Sequence, residues 1–398
     1  MLKAVASNTL AQLVAKFFGA GLTLLTTYYT IRLAGLELYG DLTKVVVLVA
    51  LGFTSIDFGL NADALRRSRN KEELQTRLGS VLITRLFLAG VAIILLNLLI
   101  FTLPGGYSHE VKSIFWFGSL AIFFQGIFTS GNVYFQFNLE YWRSTLSTVA
   151  GAFTTTVLTL YSLWHSPTLL SLVAATTIGY FISATTTLLL LPKIPKPRVH
   201  FRDIYLTLKS SAILGAILIA SVLSSKLDTI LLGVYRPSSE VGEYGFAYRI
   251  FDVILVLPVF VMNSLYPLML RNKKNLLNTT LFSLGTLGTI AGSATYILAP
   301  LILLIKPGLT ISLESLRLLS LSLPLFYLTA PLMWHLIAKN RERQVLITFL
   351  LSTILNLSLN LALIPYYGAS AAAIVTGLTE LFIFLSLLYY SLRVKSVL

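Results

Sequence analysis

The chain has 398 residues, of which 56% are hydrophobic and only 12% charged, with a formal net charge of +14. Soluble domains carry about a quarter charged residues, so this composition excludes an ordinary water-soluble fold and makes lipid the solvent. With no cysteine, disulfide, iron–sulfur and thiol chemistry are excluded. The four histidines, His109, His165, His200 and His335, show no metal-ligand spacing, so no metal site and no cofactor is expected.

Apolar runs of about 20 residues are long enough to cross a bilayer as helices. In chain order the expected spans are 8–33, 41–62, 78–103, 113–134, 145–164, 169–191, 210–233, 244–269, 277–305, 313–337, 344–365 and 370–392. They are too long, and too little alternating, for membrane strands. The opening MLKAVASNTLAQLVAKFFGAGLTLL has no short apolar core followed by a clear small-residue cleavage site, and is read as the first span.

The loops fall into two alternating classes. RRSRNKEELQTR (66–77), PKIPKPRVHFRDIYLTLK (192–209), RNKKN (271–275), KNRER (339–343) and the tail RVKSVL (393–398), with Lys3 and Arg143, hold 20 of the 30 lysines and arginines. The other loops, AGLELYG (34–40), TLPGGYSHE (102–110), HSP (165–167), VYRPSSEVGE (234–243), KPGLTIS (306–312) and YYGA (366–369), contain only Arg236 and Lys306, with Arg32 and Lys112 at their edges. Positive charge marks the cytoplasmic side, so both termini are expected there. The basic excess is thus a signature of topology, and no nucleic-acid partner is expected.

Two patches suggest an internal repeat. GLELYGDLTKVVVLV (35–49) is similar to SEVGEYGFAYRIFDVILV (239–256), and QFNLEYWRSTL (136–146) to AKNRERQVLI (338–347). The expected fold is an all-α polytopic membrane protein. Twelve transmembrane helices form two six-helix lobes, 1–191 and 210–398, related by a parallel pseudo-two-fold repeat. A basic cytoplasmic linker, 192–209, joins the lobes.

Charges within spans cost at least about 2.5–3.5 kcal/mol on insertion scales and face a cavity or a partner. The candidates are Lys16, Lys44, Asp57, Arg85, Lys226, Asp228, Arg249, Asp252 and Glu380. Lys16 shares a helix face with Gln12, Gly19, Thr23, Thr26, Thr27 and Thr30, which suits a hydrated cavity. Lys44 and Arg249 each come five residues after the tyrosine of a Tyr-Gly pair, so a matched pair of cations is one reading. A local partner for Arg249, either Asp252 at i+3 or Asp228 on the preceding span, is the other. Lys226 either lines a cavity or snorkels to the surface, and Arg85 either lines a cavity or snorkels toward the cytoplasm. Asp57 is expected to pair with a basic residue, for packing or as a gate. Asp228 shares its face with Ser221, Ser224 and Ser225, which suits close helix packing. Glu380 is the candidate for ion coupling, with a hydrogen-bonded structural carboxyl as the alternative.

DTILLGVYRPSSEVGEYGFAYRIFDVILVLPVFVMNSLYPLMLR (228–271) resembles the seventh and eighth spans of polysaccharide-biosynthesis flippases. These are O-antigen-type exporters of the multidrug/oligosaccharidyl-lipid/polysaccharide superfamily. SIDFGLNADALRR (55–67) resembles the end of their second span, and NLSLNLALIPYYGASAAAIVTGLTELFIF (356–384) their last helical pair. The resemblance implies a flippase in the cell membrane. It would carry a lipid-linked oligosaccharide, through its phosphate or pyrophosphate, from the cytoplasmic to the outer leaflet by alternating access. Lys16, Lys44, Lys226 and Arg249 would bind the head group. Asp57, Asp228, Asp252 and Arg85 would serve as gating or structural charges. Membrane lipids and glycan-assembly enzymes are the further partners. A cation-coupled drug or small-molecule exporter of the same superfamily is the first alternative, and an integral-membrane enzyme or scaffold the second. No G-x-x-x-x-G-K-[ST] loop or H-E-x-x-H motif is present and the outer loops are poor in acids, so no enzyme is expected.

Overall fold

The computed structural model describes residues 18–68, 70–193, 201–270 and 276–395, and the regular structure of all of them is helical. A first helix, α1 (18–29), passes through a π-helical turn, Thr30–Ala34, into α2 (Gly35–Asp57). Then come α3 (Leu60–Arg67), α4 (Lys71–Thr102), α5 (His109–Phe137), α6 (Tyr141–His165) and α7 (Leu169–Leu190). The chain continues through α8 (Phe201–Tyr235), α9 (Ser238–Leu270), α10 (Leu276–Leu298), α11 (Thr310–Ala338) and α12 (Glu342–Lys395).

Among the described residues, nine helices are long and apolar enough to cross a membrane. The last, α12, is two helical arms joined at Gly368, whose φ of 57° and ψ of −134° break the helix. The expected span 8–33 lies partly outside the described residues. The expected span 41–62 is divided: α2 stops at Asp57, Phe58 and Gly59 take positive φ, and a separate helix, α3, begins at Leu60. AGLELYG, expected as a loop, is mostly helix, since α2 already begins at Gly35.

Several helix starts arise directly from local chemistry. Asn70 accepts from the Glu73 N–H (2.8 Å) and opens α4, Ser108 caps α5 through Val111, and Thr168 and Ser171 form a reciprocal capping box on α7. Prolines inside spans leave carbonyls without their helical partner. Pro258 does this to the Ile254 carbonyl, and the Tyr327 hydroxyl of α11 donates to it at 2.8 Å.

Contacts divide the chain into two compact units, 1–219 and 220–398, and the division falls within α8. Residues 201–209, read from the sequence as linker, are the first turns of α8. In the first unit α4 packs on α5, α5 on α7 and α7 on α6, while α2 packs against α4 and α5. The α6–α7 crossing depends on glycine. A Cβ on Gly151 would lie 1.9 Å from Ser183 Oγ, and one on Gly179 would lie 1.9 Å from Thr155 Oγ1. Small residues facing each other let spanning helices touch backbone to backbone, which supplies the packing that lipid does not drive. In the second unit α11 is central, packing on α9, α10 and α12. Large apolar side chains such as Leu189, Phe282, Ile297 and Leu304 point outward, the inverse of a soluble protein and the arrangement a lipid solvent requires.

Candidate functional site

The first unit encloses a cation at the broken end of α2. Arg85 of α4 is 0% exposed. Its Nε donates to the Ile56 carbonyl (3.0 Å), Nη1 to Ser130 Oγ (2.9 Å), and Nη2 to Asn61 Oδ1 (2.7 Å) and Asp57 Oδ1 (3.5 Å). One guanidinium thus ties together α2, α3, α4 and α5. It also supplies a donor to a carbonyl at the end of α2, where the helix has run out of its own. Of the two sequence readings of Arg85, snorkelling is corrected: with four acceptors in place the side chain has no need of water. Asp57, at the broken end of α2, is part of this cluster.

Lys44 of α2 is buried as well. Its ammonium donates to Asp41 (3.0 Å) and to the Gly106 carbonyl (2.6 Å), and lies 5.6 Å from the centroid of the Tyr107 ring. This pins the α4–α5 loop onto α2. Burial raises the Tyr107 phenol above its ordinary range, so it stays neutral. Lys16 lies outside the described residues.

The second unit gathers a larger polar cluster. Asp228 of α8 is fully buried. Its Oδ2 accepts from Tyr244 Oη (2.5 Å) and Thr376 Oγ1 (3.1 Å), and its Oδ1 from the Thr229 N–H (2.6 Å) and Thr229 Oγ1 (3.2 Å). The Asp228–Arg249 pairing considered from the sequence is therefore replaced by hydroxyl and amide donors from α8, α9 and α12. Lys226, two residues earlier and on another face, pairs with Asp252 of α9 (3.3 Å) and lies 4.3 Å from the centroid of the Tyr248 ring. Tyr248 in turn donates to the Ser225 carbonyl (3.0 Å).

Two charges differ from the rest. Arg249 is half-buried, and among the described residues it has no hydrogen-bond or ion-pair partner. Its expected i+3 partner, Asp252, is engaged by Lys226. Lys44 and Arg249, expected as a matched pair, thus occupy unlike settings, one enclosed and one free. Glu380 of α12 is 5% exposed, and among the described residues its Oε1 has no hydrogen-bond partner. Nearby on the same helix, Thr379 accepts from Asn356 (3.2 Å), and Asn360 donates to Asn356 (2.9 Å).

Sequence reasoning missed Tyr244 and Thr376 as the partners of Asp228, and Asn61 and Ser130 as partners of Arg85. Tyr244 carried a signal, because it anchors the repeated Tyr-Gly pair. The others are ordinary polar residues, and only helix packing brings them to the charge. Among the described residues no group of acids and histidines is placed to hold a metal ion.

Long apolar helices with charges buried between them define a polytopic membrane protein, and its fold is that of transporters of the multidrug/oligosaccharidyl-lipid/polysaccharide (MOP) superfamily. A structure described as lipid II flippase MurJ in an inward closed conformation matches over 95% of this chain and 86% of its own, with 16% identity and a TM-score of 0.77. An inward-facing multidrug resistance MATE family transporter of the MOP superfamily matches over 98% of both chains, with 14% identity and a TM-score of 0.73. A MOP superfamily transporter from Pyrococcus furiosus matches over 98% of this chain and 96% of its own, with 15% identity and a TM-score of 0.71; its description reports a binding pocket of reversed polarity. No curated protein matches the sequence. The family model described as polysaccharide biosynthesis protein matches residues 5–273, and the chain belongs to that family.

Proposed function

We propose that this protein flips a lipid-linked oligosaccharide, held by its phosphate or pyrophosphate, from the cytoplasmic to the outer leaflet of the cell membrane. The reading joins twelve spans in two repeated lobes, with both termini cytoplasmic, to alternating access between the lobes. Family membership supports the polysaccharide context. The observation that carries the anionic head group is Arg249, a half-buried cation on a membrane helix with no partner among the described residues. Such a charge is tolerated where an anion or water meets it, and a guanidinium grips phosphate through paired donors. Lys16 and Lys226 complete the proposed binding set. Lys44, enclosed by Asp41 and Gly106, is left out of it. Glu380 is the proposed coupling carboxyl, because a buried acid lacking a partner on one oxygen can exchange a proton or take a cation.

The test is leaflet accessibility of a lipid-linked glycan in proteoliposomes. Purified protein is expected to move the glycan across the bilayer. An unchanged distribution, together with rescue of drug-sensitive cells by efflux, would select the second reading, a cation-coupled exporter. The likeness in fold to a multidrug transporter favours that alternative.

A further inference from the structure

The turn between α5 and α6 and the turn between α11 and α12 are built alike. In the first, the Glu140 N–H bonds the Phe135 carbonyl (2.8 Å) and Leu139 has φ of 57°; in the second, the Arg341 N–H bonds the Leu336 carbonyl (2.9 Å) and Asn340 has φ of 57°. The helix starts beyond the two turns differ. Arg143 reaches from the start of α6 to the Leu190 carbonyl at the end of α7 (2.8 Å) and closes that corner. At the matching place in the second turn stands Gln344, which is too short to do the same. There the corner opens as a cavity of about 190 Å³ lined by Leu336, Arg341, Gln344, Tyr390 and Arg393.

The lining has the chemistry of an anion site. Among the described residues it presents two guanidiniums, an amide and a phenol, and no carboxylate. With the Gln344 amide turned to the orientation that satisfies both its atoms, its oxygen accepts from Arg341 (3.1 Å) and its nitrogen donates to the Arg341 carbonyl (2.9 Å). Arg393 lies 4.5 Å from the centroid of the Tyr389 ring. Apolar side chains lead away from the cavity on both arms of α12. Ile347 and Leu351 come after Gln344 at i+3 and i+7, and Tyr389 and Leu385 precede Arg393 at i−4 and i−8; all four are exposed. A free phosphate would use only the cavity, whereas a phospholipid would use the cavity and the apolar stripes together.

We propose that this cavity binds the phosphate of an anionic phospholipid, whose acyl chains lie along Ile347, Leu351 and Leu385. The site is separate from Arg249 and Glu380 and is independent of what the protein carries. Its place among the basic loops puts it in the leaflet where anionic lipid and juxtamembrane cations attract each other.

The test is native mass spectrometry of the purified full chain in detergent, titrated with phosphatidylglycerol, phosphatidylcholine or inorganic phosphate. Wild type is expected to retain phosphatidylglycerol over phosphatidylcholine. The R341Q/R393Q variant should bind phosphatidylglycerol roughly 30-fold more weakly, at about fivefold per arginine. The single variants R341Q and R393Q carry the same test if the double variant is not recovered. The control K339Q/R343Q removes neighbouring cations outside the lining and should leave binding within about twofold of wild type. Equal retention of both lipids overturns the proposal. So does equal weakening in the control, which would mean diffuse surface charge. Full displacement by millimolar inorganic phosphate also overturns it, and would make the cavity a site for a soluble anion.

Discussion

Arg85 in the first unit and Glu380 in the second are both buried charges on membrane helices, yet their surroundings have little in common. Arg85 meets four acceptors from three other segments, one of them the carbonyl at a broken helix end. Among the described residues, Glu380 keeps an oxygen with no hydrogen-bond partner, and Arg249, in the same unit, is a cation with none. A saturated charge acts as a structural tie, because any movement away from its partners costs their full desolvation. An unsaturated charge can be relieved by an ion, a proton or a substrate, so its energy changes when one arrives. The polar content of the two units is similar in kind, and the difference lies in what remains unmet.

That contrast can be broken most directly at Arg85. R85A should lower stability by about 3–5 kcal/mol, since removing one partner strands the others in a buried site. A thermal shift in detergent measures it, and a loss below about 1 kcal/mol would show that the tie is dispensable. Next comes D228A, which strands Tyr244, Thr376 and Thr229 and should cost about 1–3 kcal/mol in the same assay, with D228N milder. R249A should leave stability within about 0.5 kcal/mol, as expected where no contact is lost. Its glycan flipping should fall roughly 10- to 100-fold, the worth of a charge-assisted contact to phosphate. Equal loss of stability and transport would erase the difference between tied and free charges. The smallest structural effect is expected for E380Q. It should fold like wild type, within about 0.5 kcal/mol, while the dependence of transport on proton or sodium gradients disappears. Unchanged gradient dependence would take Glu380 out of the coupling role.

Much of the fold was legible because membrane solvent imposes simple rules. Eleven of the expected spans fall largely on described helices, and among the described residues nine helices are long and apolar enough to cross a membrane. Of the helix starts capped by Asn70, Ser108 and Thr168, only the last coincides with an expected span, 169–191; α4 and α5 begin inside segments read as loops, 66–77 and 102–110, where the side-chain caps carry the helix beyond the apolar run. The break at Phe58 and Gly59 was not legible, because the chain remains apolar through it. Its backbone is held from outside, by Arg85 at the Ile56 carbonyl and by Leu214, which lies 3.0 Å from where a Cβ on Gly59 would stand. The inventory of buried charges was also readable, but their partners were misjudged at Arg85 and Asp228. Sequence spacing on one helix reveals neighbours at i+3 and i+4, whereas these charges are satisfied from other helices.

Gly368 shows the same division within a single residue. The sequence YYGA marks a turn between two apolar runs. Only the structure shows that the Glu240 carboxylate accepts from the Ala369 N–H (2.8 Å) while also pairing with Arg236 (2.8 Å), so that an acid from α9 caps the second arm of α12. The sequence by itself determined the solvent, most of the helices, the expected sidedness of the loops and the inventory of charges, because each comes from composition or local spacing. Tertiary structure alone decided which charges are satisfied and which stand free. That depends on groups far apart in the chain meeting across helices, where lipid supplies no substitute partner.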